Sequence, residues 1–435
     1  MAQDDHDPVK GAATISDTGE TFKSIGTSKT AETGQTGKIV KSVETVHWVF
    51  AQGGAGVHDD GRHDDGRAAG GRVAQAGSAQ GAGGAARPPA AVLRRTLPSR
   101  EIFEQAADII KAGGLVAFPT ETVYGLGADA GNEQALRAIY AAKGRPADNP
   151  LIAHVAKAEQ LLQLCQFVPS LAQDLIGAFW PGPLTITLPA LPSIPRTLTG
   201  GLSNVAVRMP SHPVALALIR AADSPLAAPS ANLSGRPSPT VARHVLADLA
   251  GRIDGVIDGG RCEVGIESTV IALEPEGGIV ILRPGAIGPD KLSRFGVPVS
   301  YDSALLASDN AAPRAPGQKY RHYAPQAPVL LFHSRIQAAA LEELERHALA
   351  LAATGAVVAA LTVSAVASPS GARLWLPLSR TAAVHEVARG LYGALRMCDD
   401  EGVDQIVLEG ISGGESAAAV MNRMFKAAGN RMLEV

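Results

Sequence analysis

Chemistry is densest in one short stretch, Lys143-Gly144-Arg145-Pro146-Ala147-Asp148-Asn149-Pro150-Leu151. Pro146 fixes its own φ and biases Arg145 away from the helical region, and Pro150 does the same to Asn149. The spacing predicts an ordered loop, with Lys143 and Arg145 on the same face of an extended backbone. A Lys point charge beside an Arg fork suits a polyphosphate. The alternative is a surface turn with incidental charges.

Other stretches share this character. Pro229-Ser230-Ala231-Asn232-Leu233-Ser234-Gly235 is dense in hydroxyls and amides. It is either turn chemistry or a cradle for phosphate and nucleobase. Arg208 and Arg283 each stand near the end of a predicted strand, as surface residues or as anion ligands. Pro316 to Pro325 gathers Lys319, Tyr320, Arg321, His322 and Tyr323. Such a patch either covers a nucleotide or straps the surface between domains. Gly410-Ile411-Ser412-Gly413-Gly414 lacks a Walker lysine and the GxGxxG spacing, so its anion signal is weak.

These residues need elements to hold them. Apolar spacing predicts a helix over 99–112, capped by Ser99 and ended by Gly113-Gly114. A buried strand at 115–118 then enters the polar loop Pro119 to Gly127. Open α/β sheets place ligands at such strand ends. Helices are predicted over 132–142, 170–180 and 212–222. Strands are predicted at 151–155, 184–188, 205–210, 226–228, 256–258, 265–271 and 279–282. Strands and helices alternate again over 327–435, which implies a second, parallel sheet.

Composition sets the frame. The chain has 435 residues, 46% hydrophobic and 19% charged, which predicts two or three domains with real cores. Aromatics are 4%, so those cores should be aliphatic, and a net charge of −3 gives no global sign of a nucleic-acid scaffold. The three cysteines, Cys165, Cys262 and Cys398, lie far apart with no CxxC pair, against a disulfide framework or structural zinc and for a reduced cytoplasm. No apolar run reaches the roughly 18 residues of a membrane span, and the polar start argues against a signal peptide. Residues 1–95 are rich in small and polar types and are expected to be a disordered low-complexity extension. Within them the repeat His58 to Arg67 is read as solvated rather than metal-binding.

The motifs in order resemble the YrdC-like threonylcarbamoyl-AMP synthase family. The matching segments are PTETVYGLG (119–127), KGRPADNPL (143–151), FWPGPLT (179–185), VAVRMP (205–210), APSANLSG (228–235), GIESTV (265–270) and LRPG (282–285). PGQKYRHYAP (316–325) and the C-terminal unit resemble its long, two-domain form. The resemblance implies an α/β fold: a YrdC-like twisted mixed sheet with flanking helices and a concave site, and a smaller Rossmann-like C-terminal domain. The implied boundaries are 96–295 for the catalytic domain, 296–326 for a linker over the active site and 327–435 for the C-terminal domain.

The family condenses L-threonine, bicarbonate and ATP to threonylcarbamoyl-adenylate and pyrophosphate. Its product feeds a transferase complex that modifies a tRNA adenosine. By matching position, Lys143, Arg145, Ser230 and Asn232 are the expected catalytic residues. Asn149, Asn204, Ser238, Arg283, Tyr320 and His322 join Arg145 and Ser230 around ATP. Thr122, His154, Arg208, Ala228 and Ser268 are expected around threonine, with Arg208 on its carboxylate. Mg²⁺ is expected on the phosphates, with no protein side-chain ligand, and a tRNA contact is open. The expected location is cytoplasmic. Rival readings are a YrdC-like RNA-binding module, a carbamoyltransferase maturation factor and a plain ATP hydrolase. The maturation factor's usual acylphosphatase segment and paired CxxC motifs are absent from the sequence.

Overall fold

The computed structural model describes residues 21–25, 46–50, 94–305, 323–363 and 367–435, with 21–25, 46–50 and 94–99 described by backbone alone. Short apolar runs closed by Gly, Pro or polar residues make the strands, and amphipathic segments make the helices around them. One large mixed sheet starts at the edge strand Val299–Tyr301. It continues through Ile279–Arg283, Thr269–Leu273, Leu184–Pro189, Asn204–Arg208, Ile152–His154, Leu226–Ala227, Gly125–Asp129, Val116–Phe118 and Gly255–Asp258. Three backbone strands, Val46–Phe50, Thr21–Ile25 and Arg94–Pro98, extend it beyond Gly255–Asp258. Two of them fall inside the 1–95 segment. Apart from the first two residues of Arg94–Pro98, the rest of that segment, including the repeat at 58–67, lies outside the described residues.

Helices cover both faces. Ser99–Lys111 and Pro213–Ala222 bury Ile102, Ile110, Leu218 and Ile219 with Phe118 between them. Glu133–Lys143 buries Leu136, Ile139 and Tyr140 in the main core, beside Leu126 and Leu184. Each such side chain contributes about 1.5–3 kcal/mol on burial.

The second sheet has the order Leu374–Pro377, Val358–Thr362, Gln405–Glu409, Val329–His333, Leu433–Glu434, and every pairing in it is parallel. Val358–Thr362 is buried along its whole length, as a strand covered on both faces must be. Helices Gln337–Ala353, Val384–Asp400 and Ala418–Ala427 cover this sheet. No described helix is long and apolar enough to cross a membrane.

Several elements differ from the sequence reading, four of them as follows. Lys143 is not in an extended loop but is the last residue of helix Glu133–Lys143. Gly125–Asp129 is a strand inside the expected polar loop. Ala242–Leu249 is a helix and Leu374–Pro377 a strand where no element was expected. The last two are short, and their hydrophobic patterns are too brief to declare a period.

Candidate functional site

The helix ending at Lys143 explains how two cations meet. Asn132 caps its start, accepting from the Gln134 and Ala135 amides. Gly144 ends it in the left-handed region at φ 61°, and its amide returns to the helix carbonyls. That reversal, which glycine adopts without a Cβ penalty, turns Arg145 back toward Lys143. Helix termination therefore does what strand alternation was expected to do.

Lys143 is buried and Arg145 is half-buried. The Lys143 ammonium donates to the carbonyls of Ser230 and Asn232, so it clamps the Ser-Ala-Asn loop to the helix end. Its own carbonyl accepts from the Ser234 amide at 2.8 Å. Burial, and then the neighbouring Arg145, hold its pKa well below the ordinary 10.5. Burial also lowers Arg145, to about 10, which leaves it a cation at neutral pH. Arg145 Nη2 donates to Asn149 Oδ1 at 2.6 Å and to the Pro150 carbonyl at 2.9 Å. This fixes the Asn149 amide, whose Nδ2 is buried and has no hydrogen-bond partner. Asn232 donates through Nδ2 to the Leu233 and Arg236 carbonyls, at 2.8 and 2.9 Å, and its buried Oδ1 is likewise without a partner. Orphaned polar atoms of this kind call for a ligand or water.

Lys143, Arg145 and Asn232 open onto a cleft that encloses about 730 Å³, open solvent included. Its other end is built differently. Arg208, at the end of strand Asn204–Arg208, donates to Thr122 Oγ1 at 3.0 Å and to the Gly182 carbonyl at 3.2 Å. Its Nη2 also lies 2.7 Å from the buried Glu121 carboxylate. Thr122 Oγ1 shares a 2.8 Å hydrogen bond with Thr120 Oγ1. His154 Nδ1 faces the Ile152 carbonyl at 3.2 Å. Burial, and then Arg208, push His154 down to about 3, so its ring is neutral at physiological pH. Ser268 Oγ pairs with Thr185 Oγ1 at 2.8 Å and accepts from Arg283 Nη2 at 3.1 Å. Burial lowers Arg283 from its ordinary range.

The cleft thus gathers Thr122, Lys143, Arg145, His154, Arg208, Ala228, Ser230, Asn232, Ser238, Ser268 and Arg283 along one wall-to-wall lining. Asn149 lies just behind, hydrogen-bonded to Arg145. Asn204 does not join them: it is exposed and begins the strand whose far end carries Arg208. Tyr320 and His322 lie outside the described residues, whereas their neighbour Tyr323 does line the cleft. Cys262 is fully buried, and burial followed by Glu121 pushes its thiol up, which keeps it inert as a nucleophile. Among the described residues no three His, Cys, Asp or Glu side chains gather as a metal site.

Residues 108–285 match a family model described as "Telomere recombination", and residues 288–429 match one described as "Threonylcarbamoyl-AMP synthase, C-terminal domain". The threonylcarbamoyl-AMP synthase of Bacillus subtilis is 45% identical, over 76% of this chain and 93% of its own length. The chain belongs to the threonylcarbamoyl-AMP synthase family. The synthase of Pyrococcus abyssi is 44% identical over 76% of this chain and 95% of its own. A crystal structure of P. abyssi Sua5 complexed with L-threonine superposes with a TM-score of 0.73, at 43% identity, covering 78% of this chain and 97% of that one.

Threonylcarbamoyl-AMP synthase motifs in the sequence led to most of the lining, but not to all of it. The lining residues Thr120 and Glu267 sit inside PTETVYGLG and GIESTV, and so does Glu121, which pairs Arg208 beside the cleft, so their segments were visible and their side chains were not singled out. Tyr392 and Arg423 reach the Glu267 carboxylate from the C-terminal unit, at 3.0 Å each to Oε2. One sequence signal for Arg423 exists: it shares the buried stripe of its helix with Val420, Met424 and Ala427. An Arg on an apolar stripe must find a buried partner.

Proposed function

We propose that the protein is an L-threonylcarbamoyladenylate synthase, a nucleotidyltransferase that joins L-threonine, bicarbonate and ATP and releases pyrophosphate. The observation that carries this reading is one continuous cleft with two chemically distinct ends. Lys143 and Arg145 form a cationic end, with Ser230 and Asn232 beside them. Thr122, His154, Arg208 and Ser268 bring hydroxyls, a neutral imidazole and a guanidinium together at the other end, which suits a small hydroxy amino acid. That the P. abyssi relative is described in complex with L-threonine supports the second assignment.

In this reading Arg208 takes the threonine carboxylate. Glu121 keeps the guanidinium paired and oriented until substrate arrives. A site whose buried polar groups are satisfied only by the right substrate rejects analogues that lack the partner. The threonine nitrogen attacks bicarbonate carbon, with loss of water, to give a carbamate. A carbamate oxygen then attacks the α-phosphorus, the bond to the bridging oxygen breaks, and pyrophosphate leaves. Positioning and charge neutralisation by Lys143, Arg145 and Arg283 supply the catalysis. Mg²⁺ carried by ATP would neutralise part of the phosphate charge without needing a side-chain ligand from this chain. The Ser230 hydroxyl and the Ser238 hydroxyl serve ATP, and Ala228 keeps the wall beside threonine apolar. The adenylate goes to a tRNA-modifying transferase complex in the cytoplasm.

Pyrophosphate release with L-threonine or bicarbonate omitted tests the proposal. Release that needs both supports the synthase. Release indifferent to threonine identifies a hydrolase, and RNA binding with no release identifies a binding module.

A further inference from the structure

One wall of the cleft carries a carboxylate close to where substrate anions would gather. Glu267 lines the cleft beside Ser238, Ser268, Arg283 and Tyr323, and is 6% exposed. A bare carboxylate there opposes a polyphosphate. It is not bare: Ser238 Oγ donates to Oε1 at 2.5 Å, Tyr392 Oη to Oε2 at 3.0 Å, and Arg423 Nε to Oε2 at 3.0 Å. Burial alone raises Glu267, but Arg423, then Arg283 and Ser238, hold it below the ordinary carboxylate range. Two of these donors come from the C-terminal unit, Tyr392 on helix Val384–Asp400 and Arg423 on helix Ala418–Ala427.

Arg423 does more than pair Glu267. It is 0% exposed, and its Nη1 donates to the Pro284 carbonyl at 2.7 Å, next to Arg283. Its guanidinium lies 5.4 Å from the centroid of the Tyr323 ring. Tyr323 stacks on Tyr392 at 5.5 Å and 30°. Its backbone holds a left-handed φ of 64°, uncommon for a bulky residue, while the next amide, Ala324, donates to the Gly235 carbonyl at 2.9 Å. Strained backbone persists where surrounding contacts over-determine it. A second Arg of the same unit, Arg396, donates to the Pro237 carbonyl at 2.6 Å and to Asp248 Oδ2 at 2.8 Å, so the grip extends along the segment that follows the Ser-Ala-Asn loop.

We infer that Arg423 is a positioning residue for the reaction, through which the C-terminal unit completes the ATP end of the cleft: it cancels the Glu267 charge and seats Tyr323 on that wall. This rests on the cleft being the ATP site of a synthase. The charged and titratable groups facing Glu267 are Arg423 and Arg283, with Tyr392 and Tyr323. Removing Arg423 leaves burial unopposed by its largest counter-charge, so Glu267 takes up a proton at higher pH than before.

The test measures ATP affinity by direct calorimetric titration, which needs no turnover, across a range of pH. Wild-type pyrophosphate release with threonine and bicarbonate is measured separately, so failure of the synthase reading shows there and not in the titration. Arg423→Met should weaken ATP binding at neutral pH on the order of tenfold or more. The loss should shrink as pH falls and Glu267 protonates. Adding Glu267→Gln should bring ATP affinity to within about threefold of Glu267→Gln alone, the sign of two residues acting through one contact. Arg423→Lys should recover part of the loss. Tyr392→Phe, which keeps the ring and removes only the hydroxyl, should show the same pH-dependent loss in smaller measure, and decides the matter if Arg423→Met does not fold. A loss that is equal at every pH, or a double variant as impaired as Arg423→Met, overturns the inference and makes Arg423 a packing residue. Tyr392→Phe with unchanged ATP affinity at all pH values overturns it as well.

Discussion

Replacing Lys143 with methionine separates binding from stability in a way the structure makes quantitative. The ammonium gives two of its three donors to the Ser230 and Asn232 carbonyls. In the proposed synthase the third meets a phosphate. A hydrogen bond to a charged partner is worth about 1.5–3 kcal/mol, so its loss should weaken ATP binding about ten- to hundredfold. The fold should suffer less. Methionine fills similar volume and removes a buried charge, which offsets the two orphaned carbonyls at about 1–3 kcal/mol each.

The sign with pH is fixed by the same residue. Lys143 is held well below its ordinary 10.5, so between that lowered value and 10.5 the unfolded chain binds a proton that the folded, ligand-free chain does not. The free protein therefore gains stability as pH rises through this window. Phosphate reverses the preference, because it restores the charged form. ATP binding should take up a proton at alkaline pH, and its affinity should fall as pH rises. Calorimetric titration in two buffers of different ionisation enthalpy reads the proton directly. Undiminished ATP affinity in Lys143→Met, or wild-type binding without proton uptake at alkaline pH, refutes the reasoning.

Further outcomes follow from individual contacts. Arg208→Lys cannot reproduce the fork that meets Thr122, Gly182 and Glu121 together, so the Michaelis constant for threonine should rise about tenfold or more in steady-state kinetics, with ATP affected less. His154 is already neutral, having a pKa near 3, so threonine affinity should show no titration step near the ordinary histidine value when calorimetry is run across that range. Gly285→Ala would set a Cβ 2.2 Å from the Thr269 amide nitrogen and 2.5 Å from the Ser268 carbonyl carbon. That clash should cost about 1–3 kcal/mol in thermal or denaturant unfolding and impair threonine binding through the displaced Ser268.

Much of the site was legible in the sequence, because its loops are punctuated by residues with few conformations. Pro146, Pro150 and Gly144 declare where chain direction changes, and Gly235 closes the Ser-Ala-Asn loop. What those residues do not declare is the mechanism of convergence. Lys143 reads as part of a loop because Pro146 follows so closely, yet the helix runs to Lys143 and Gly144 makes the turn. Strand Gly125–Asp129 was hidden by its two glycines, and tertiary pairing with Val116–Phe118 overrides their weak strand propensity. Arg208 and Arg283 were visible as strand-end cations, but not which neighbours hold them. Glu121 and Glu267 could not be read at all as site groups, because a carboxylate inside a motif carries no sign of its burial. Its partners Arg208 and Arg423 lie 87 and 156 residues away along the chain, a distance no local pattern spans.

The measurement closest to the central claim is the mass of the nucleotide product made from ATP and L-threonine with carbon-13 bicarbonate. A synthase makes an AMP-containing species that carries threonine and one carbon from bicarbonate, in step with pyrophosphate release and lost in Arg145→Ala. AMP or ADP without that carbon, or a threonyl-adenylate unchanged by the label, would contradict the claim.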